Sequence, residues 1–283
     1  MVPRWLECER GVAMAVRIVT DSSACLPKDI AEELDITVAP LHVMSRSGIA
    51  STAGLTALEL TAVYARQLER GNDDGVLALH LSKELSSTWS NAVTASAVFE
   101  DAVRVIDTDS AGMGLGAAAM AAAKLAARGE SLEVCYEAAV DTLERSEIYV
   151  YLHRIDDLRR SGRLSPAIAL MSSALATRPI MMLNKGKLEL AAKTRTQTKA
   201  FIKLVEMIAE KAAGKPAFIA IQQHEAREAA RHLQSTMEAV LPEGTSYLVT
   251  DVDPVLAVHL GPGSLAVTVV YSEAPGTTLS TGK

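Results

Sequence analysis

The sequence predicts an α/β protein of two domains, the first a doubly wound parallel sheet and the second a mixed-sheet α+β unit. Three observations carry this. In the first half, short apolar runs alternate with helical stretches, the order that builds a parallel sheet. Apolar residues make up 49% of the chain but aromatic ones only 4%. Aliphatic and alanine side chains must therefore fill the core, which suits helices packed on sheets better than an aromatic-rich sandwich. In the second half, Asn184-Lys185-Gly186 separates two apolar runs and signals a hairpin. A chain of 283 residues is long enough for two ordinary cores.

Taken in order, residues 16–20 (V-R-I-V-T) form a first strand, with Asp21-Ser22-Ser23 at its carboxyl end. Pro27 opens a helix to about residue 34, at the first-turn position where a missing N–H costs nothing. Residues 36–43 are extended and interrupted by Pro40, and residues 45–54, small and polar, read as loop. A helix over 58–68 ends at Arg70-Gly71. Residues 76–81 are a third strand, followed by Ser82, Ser86, Ser87 and Thr88 and a helix to about 99. Residues 103–106 are a fourth strand, ending in Asp107 and Ser110. Two alanine-rich helices cover 113–128 and 132–145.

The pattern then changes. A strand at 148–152 leads into a basic turn, R-I-D-D-L-R-R-S-G-R, that ends at Gly162-Arg163. A short helix over 166–176 precedes the hairpin strands 179–183 and 187–190. Helices at 198–213 and 227–240 alternate with strands at 217–222, 246–249 and 265–271. These features place the domain boundary near Ile155. Residues 1–14 read as a leader that does not pack, 15–155 as the first domain, 156–272 as the second, and 273–283 as a flexible tail rich in Pro, Gly, Thr and Ser.

Composition narrows the function. The net charge is −6 with both signs scattered, and no basic block suggests nucleic acid. No apolar run reaches the roughly 18 residues that a membrane span needs, so no stable membrane insertion is expected. Residues 1–13 lack the apolar centre of a signal peptide. Cys8, Cys25 and Cys135 are an odd set without metal-ligand spacing, as in a cytoplasmic protein with reduced thiols. No phosphate-binding G-x-x-x-x-G-K-[ST] loop occurs, and Gly112-x-Gly114-x-Gly116 lacks dinucleotide-binding spacing. No G-x-S-x-G elbow or His/Cys metal pattern occurs, so neither a metal nor another cofactor is expected.

What remains is a set of strand ends bearing small polar residues: Asp21-Ser22-Ser23, Ser82 to Thr88, and Asp107 to Ser110. Ligands of open α/β sheets bind beyond the carboxyl ends of strands. Ser86, Ser87 and Thr88 stand at a helix mouth, where hydroxyls, backbone N–H groups and the helix dipole suit an anion. Each cluster is also an ordinary set of helix caps, and caps are the preferred roles for Asp21 and Asp107. Cys25 has no histidine near it in sequence to activate it.

In order and rough spacing, V-T-D-S-S-A-C-L-P (19–27), L-S-K-E-L-S-S-T-W-S-N-A (81–92), S-G-R-L-S (161–165), N-K-G-K-L (184–188), K-T-R (193–195) and H-L-G-P-G (259–263) resemble the DegV family. The resemblance runs from about residue 16 to 270. It implies two α/β domains enclosing a long-chain fatty acid. The best-understood members are the fatty-acid-binding subunit of a bacterial fatty acid kinase. They present the acyl carboxylate to a separate ATP-dependent kinase subunit, and the acyl phosphate feeds phospholipid synthesis. By resemblance, Ser86 binds the carboxylate, with Ser87 where glycine is usual. Thr52, in T-A-G-L-T, matches the family's other hydroxyl donor. His259 and Arg195 match head-group residues, and Arg163 lies by the head group or the partner-facing surface. Segments 168–176 and 179–183, with flexible methionines, offer a tail wall. The protein would then be a lipid-binding subunit and not itself a complete enzyme. Two alternatives stay open: a small-molecule hydrolase or phosphotransferase using the Asp/Ser cluster, and a lipid carrier or sensor without a kinase partner.

Overall fold

The computed structural model describes residues 16–46, 49–72, 74–164 and 178–273. The expected leader, the helix over 166–176, Cys8 and nearly all of the tail lie outside them. The first sheet has four parallel strands in the order β2-β1-β5-β6: β1 (Arg17–Asp21), β2 (Ile36–Ala39), β5 (Val76–His80) and β6 (Val103–Asp107). Strand alternation sorts its side chains onto two buried faces. Ile18, Leu77 and Leu79 meet the alanine-rich helices α4 (Met113–Ala126) and α5 (Leu132–Glu144). Val19, Val76 and Ala78 meet α2 (Ala57–Arg70) and α3 (Thr88–Ser96). The short α1 (Lys28–Glu33) links β1 to β2. Being buried on both faces, β5 reads as a continuous apolar run.

Helix α2 opens on a complete capping box: the Thr56 hydroxyl accepts from Glu59 N, and Glu59 accepts from Thr56 N. These bonds, the Thr56 hydroxyl first, hold the Glu59 carboxyl down at about 2. Thr56→Ala should cost about 1 kcal/mol in urea unfolding, with an unchanged slope. An unshifted midpoint would show that packing alone holds this helix start.

Within 45–54, expected as loop, residues 45–46 and 49–53 instead lie in two antiparallel strands, β3 (His42–Arg46) and β4 (Ile49–Ala53), which form a hairpin. The hairpin pairs with neither large sheet. Most of it is solvent-exposed on both faces, Val43 and Met44 included. The apolar-polar alternation that betrays a half-buried strand is therefore missing.

The second sheet has six strands in the order β11-β10-β12-β7-β8-β9. They are β7 (Ser146–Tyr151), β8 (Arg178–Asn184), β9 (Lys187–Thr194), β10 (Ala217–His224), β11 (Ser246–Asp251) and β12 (Ser264–Tyr271). Only β10 and β11 pair in parallel, so the sheet is mixed, as expected. Strand β7 precedes Ile155 in the chain yet lies inside this sheet, so by sheet membership the crossover falls between α5 and β7. The β8–β9 turn places Lys185 (φ 46°) and Gly186 (φ 74°) in left-handed conformations, the geometry of a tight two-residue hairpin.

One face of this sheet packs Tyr149, Tyr151, Ile219, Ile221 and Val267 against α7 (Gln197–Ala212) and α8 (Arg227–Glu238). The opposite face carries Ile148, Val150, Met181 and Ala266, with α6 (Asp156–Arg160) and α9 (Pro254–Leu260) beside it. Its strands β7 and β12 contact α4 of the first half. Cross-links join the two halves: Met113 N donates to Gln222 Oε1 (2.9 Å), Ser22 Oγ to Asp253 Oδ1 (3.3 Å), and Lys187 pairs with Glu84 (3.4 Å).

Candidate functional site

A cavity of about 110 Å³ lies between the halves. Its walls are the loops beyond β5, the start of α4, the inner end of the hairpin, α9 and the apolar face of the second sheet. Leu81, Leu85, Val150, Leu183, Leu188 and Leu256 are among the aliphatic side chains that line it. Strand alternation divides the methionines expected in this wall. Met181 packs with the residues of the cavity-side face, whereas Met182 joins the core behind the sheet. The other expected wall segment, 168–176, lies outside the described residues.

Five polar side chains from distant parts of the chain line the same cavity: Thr52, Ser86, Arg163, Gln222 and His259. Ser86 is placed by the start of α3. Its Oγ accepts from Thr88 N (3.2 Å) and lies 3.0 Å from Thr88 Oγ1. Thr88, fully buried, accepts from Leu55 N (3.3 Å). With the Thr88 proton directed to Ser86 Oγ, the Ser86 proton is left for a ligand. Gly54 makes this approach possible. A β-carbon there would stand 2.6 Å from Thr88 Oγ1 and 3.0 Å from Ser86 Oγ, so any larger residue would push the hairpin off the hydroxyls. Gly54 carries no chemical signal in the sequence; its role arises from a contact with Ser86 and Thr88, more than thirty residues away.

Thr52, on β4, bonds through Oγ1 to His259 Nε2 on α9 (2.9 Å). Burial first, and repulsion from the Arg163 guanidinium second, lower the His259 imidazole to about 4. The ring is therefore neutral at neutral pH, and one nitrogen bonds the threonine. Native packing favours this neutral form, so the contribution to stability is present above about 6.5 and lost as pH falls through about 4. Titration of the ring by NMR should show its midpoint near pH 4 in the ligand-free protein. A midpoint near 6.5 would place the ring in open water.

Arg163, expected at the partner or head-group region, lines the cavity and is half-buried, with one nitrogen donating to Ser161 O (2.7 Å). Arg195 is exposed just beyond β9 and is not part of the cavity wall. Ser87 is also exposed and outside the wall. Its φ of −75° and ψ of −2° are ordinary right-handed values, so serine replaces glycine there without backbone strain.

Behind the hydroxyls stands a buried network anchored on Asp21. Its Oδ1 accepts from Ser23 N (3.0 Å) and Ser23 Oγ (2.5 Å); its Oδ2 accepts from Leu81 N (3.0 Å) and lies 3.0 Å from His80 Nδ1. His80 Nε2 in turn lies 2.8 Å from the Tyr64 hydroxyl. Asp21, His80 and Tyr64 are all fully buried. Asp21 therefore caps the turn Ser22–Ala24 and pins the end of β5, from which the Ser86 loop departs. Both of its oxygens are engaged and it has no face to offer a substrate. Asp107 pairs with Lys83 (2.7 Å) and accepts from Asp109 N (3.3 Å), a surface cap. The Cys25 thiol is buried and pushed up to about 12, mainly by desolvation, which keeps it protonated and unreactive. Among the described residues no cluster of His, Cys, Asp and Glu could hold a metal ion, and no helix is long and apolar enough to cross a membrane.

Comparison with known proteins sets this geometry in a family. Residues 44–272 match the family model described as "Uncharacterised protein, DegV family". The DegV domain-containing protein Cgl2349/cg2579 of Corynebacterium glutamicum is 62% identical over 272 residues, covering 95% of this chain and 98% of its own. The crystal structure of the DegV family protein Cg2579 from that organism superposes with a TM-score of 0.90, over 92% of this chain and 99% of the other. A DegV family protein from Thermus thermophilus, whose structure is described as showing fatty acid binding, superposes with a TM-score of 0.83 at 26% identity. It covers 91% of this chain and 99% of its own. The two-sheet arrangement, one sheet parallel and one mixed, and the matched sequence agree: this chain belongs to the DegV family.

Proposed function

We propose that the protein holds a long-chain fatty acid in the cavity between its two α/β units and presents the carboxylate to a separate ATP-dependent kinase. One observation carries the first part: an aliphatic cavity whose wall brings together Ser86, Thr52, His259 and Arg163 from four separate segments. An enclosed carboxylate must be richly hydrogen-bonded or paired, because desolvating it otherwise costs several kcal/mol. Two hydroxyls, an imidazole, an arginine and the amino end of α3 meet that need. The aliphatic wall removes the acyl chain from water, at roughly 0.8 kcal/mol per methylene. The fatty acid binding described for the Thermus thermophilus relative supports the same ligand class here.

In this reading Ser87 and Arg195, exposed and off the cavity wall, make no contact with the carboxylate. The chain supplies binding and orientation, while phosphoryl transfer to give an acyl phosphate belongs to the partner. The buried free thiols Cys25 and Cys135 suit a cytoplasmic setting. Partner dependence is tested by adding palmitate-loaded protein, ATP and Mg²⁺ to an extract of the source cells, with hydroxylamine to trap acyl phosphate as the hydroxamate. Hydroxamate should form only when loaded protein, ATP and extract are all present. Tight palmitate binding with no hydroxamate under any combination would contradict the kinase role and favour a carrier or sensor.

A further inference from the structure

The two outer strands of the second sheet differ in kind. Among the described residues these are β9 and β11. Exposed charges stud β9 at Lys187, Glu189 and Lys193. Such charges keep an open edge from pairing with another chain. Strand β11 reads S-Y-L-V-T-D, with its single charge, Asp251, at the very end. Val249 in its middle is 42% exposed. Neither a proline nor a bulge interrupts β11, which keeps its parallel register with β10 from Ser246 to Asp251. One edge is therefore guarded against pairing and the other is not.

Helix α8 sets charges beside the unguarded edge. Tyr247 packs into the core beneath this helix, so strand alternation puts Val249 and Asp251 on the same side. As the crossover between two parallel strands, α8 runs antiparallel to β11. Arg227 accordingly lies by the end of the strand, 3.8 Å from Asp251. Arg231 borders a groove with Val249 and Thr250. Glu238 stands near Tyr247, whose hydroxyl is pushed up by burial first and by this carboxylate second. Arg231 and Glu238 are both exposed. The row beside the edge is thus basic toward one end of β11 and acidic toward the other.

We infer that β11 is the pairing edge of a symmetric dimer, in which two copies of this chain join these strands antiparallel and continue the sheet. Such a contact is isologous, so each interaction occurs twice. A register centred on Leu248 keeps every side chain on its own face. It sets Tyr247 opposite Val249 of the second copy, an aromatic on a β-branched residue, and leaves Asp251 beyond the paired stretch. The same twofold axis reverses the row on α8, so Arg231 faces Glu238 of the second copy and Glu238 faces its Arg231. Backbone pairing alone would accept any strand. The opposite charges at the two ends of the row are what select a second copy, because antiparallel self-pairing turns them into two matched contacts.

The test is sedimentation velocity of the full chain over a range of concentrations, where the wild type should pass from monomer to dimer. Arg231→Glu and Glu238→Arg each place two pairs of like charges at the contact, and each should weaken dimerisation about tenfold or more. An equimolar mixture of the two variants restores both opposite-charge contacts. It should sediment as dimer at concentrations where either variant alone is monomer. Val249→Lys, which gives this edge the kind of guard that β9 carries, should also be monomeric, and wild-type circular dichroism shows that each variant is folded. A wild type that stays monomeric throughout would overturn the inference. So would single variants that dimerise like the wild type, or a mixture that fails to dimerise.

Discussion

Replacing Asp21 by alanine should destabilise the fold by about 3–5 kcal/mol, the cost of leaving a buried charged network without its anchor. The carboxylate is fully enclosed and engages Ser23 N, Ser23 Oγ, Leu81 N and His80 Nδ1. Its removal strands a backbone N–H at the end of β5 and an imidazole beneath it. Each buried orphan adds about 1–3 kcal/mol. The midpoint of urea unfolding should fall accordingly. Asp21→Asn, which keeps the shape and one acceptor, should fall between the two. An alanine variant as stable as the wild type would show that the network does not support the Ser86 loop. If instead its stability held while a turnover activity vanished, the hydrolase or phosphotransferase alternative would revive.

Ser86→Ala should weaken fatty-acid binding by roughly 10- to 100-fold, the range of one charge-assisted hydrogen bond at about 1.5–3 kcal/mol. His259→Ala should do the same. Both changes disturb one polar cluster, so their combined effect should differ from the sum, and a double-mutant cycle on palmitate affinity reads that coupling. The reasons differ in detail. Ser86 loses the hydroxyl aimed by Thr88, whereas loss of His259 also frees Thr52 on the hairpin. Wild-type affinity in both variants would move the carboxylate to another part of the cavity.

Much of this was legible in the sequence, for identifiable reasons. The parallel sheet announces itself because β5 is buried on both faces and so reads as an apolar run, V-L-A-L, before His80. The β8–β9 turn is legible because Gly186 takes a positive φ at the position hairpin chemistry requires. Ser86, Thr52 and His259 come from resemblance to the DegV family, and the structure gathers them on one cavity.

The misses share a physical origin: contacts between residues far apart leave no periodic trace. The hairpin at 42–53 pairs only with itself, so no burial pattern marks it. His80 sits in an apolar strand and becomes meaningful only when Asp21 and Tyr64 close around it. Gln222 reaches across the interface to Met113 N, a partner 109 residues away. The two arginines show the limit of motif reading. Motif position offered Arg195 for the head group and left Arg163 between head group and partner surface, and only the fold shows that Arg163 reaches the cavity.

The most direct measurement of the central claim is denaturing extraction of the purified protein followed by mass spectrometry of the released lipid. A long-chain fatty acid should be released in near-stoichiometric amount, and palmitate should replace it when the delipidated protein is titrated. An extract empty of fatty acid from repeated preparations, together with no uptake on titration, would contradict it.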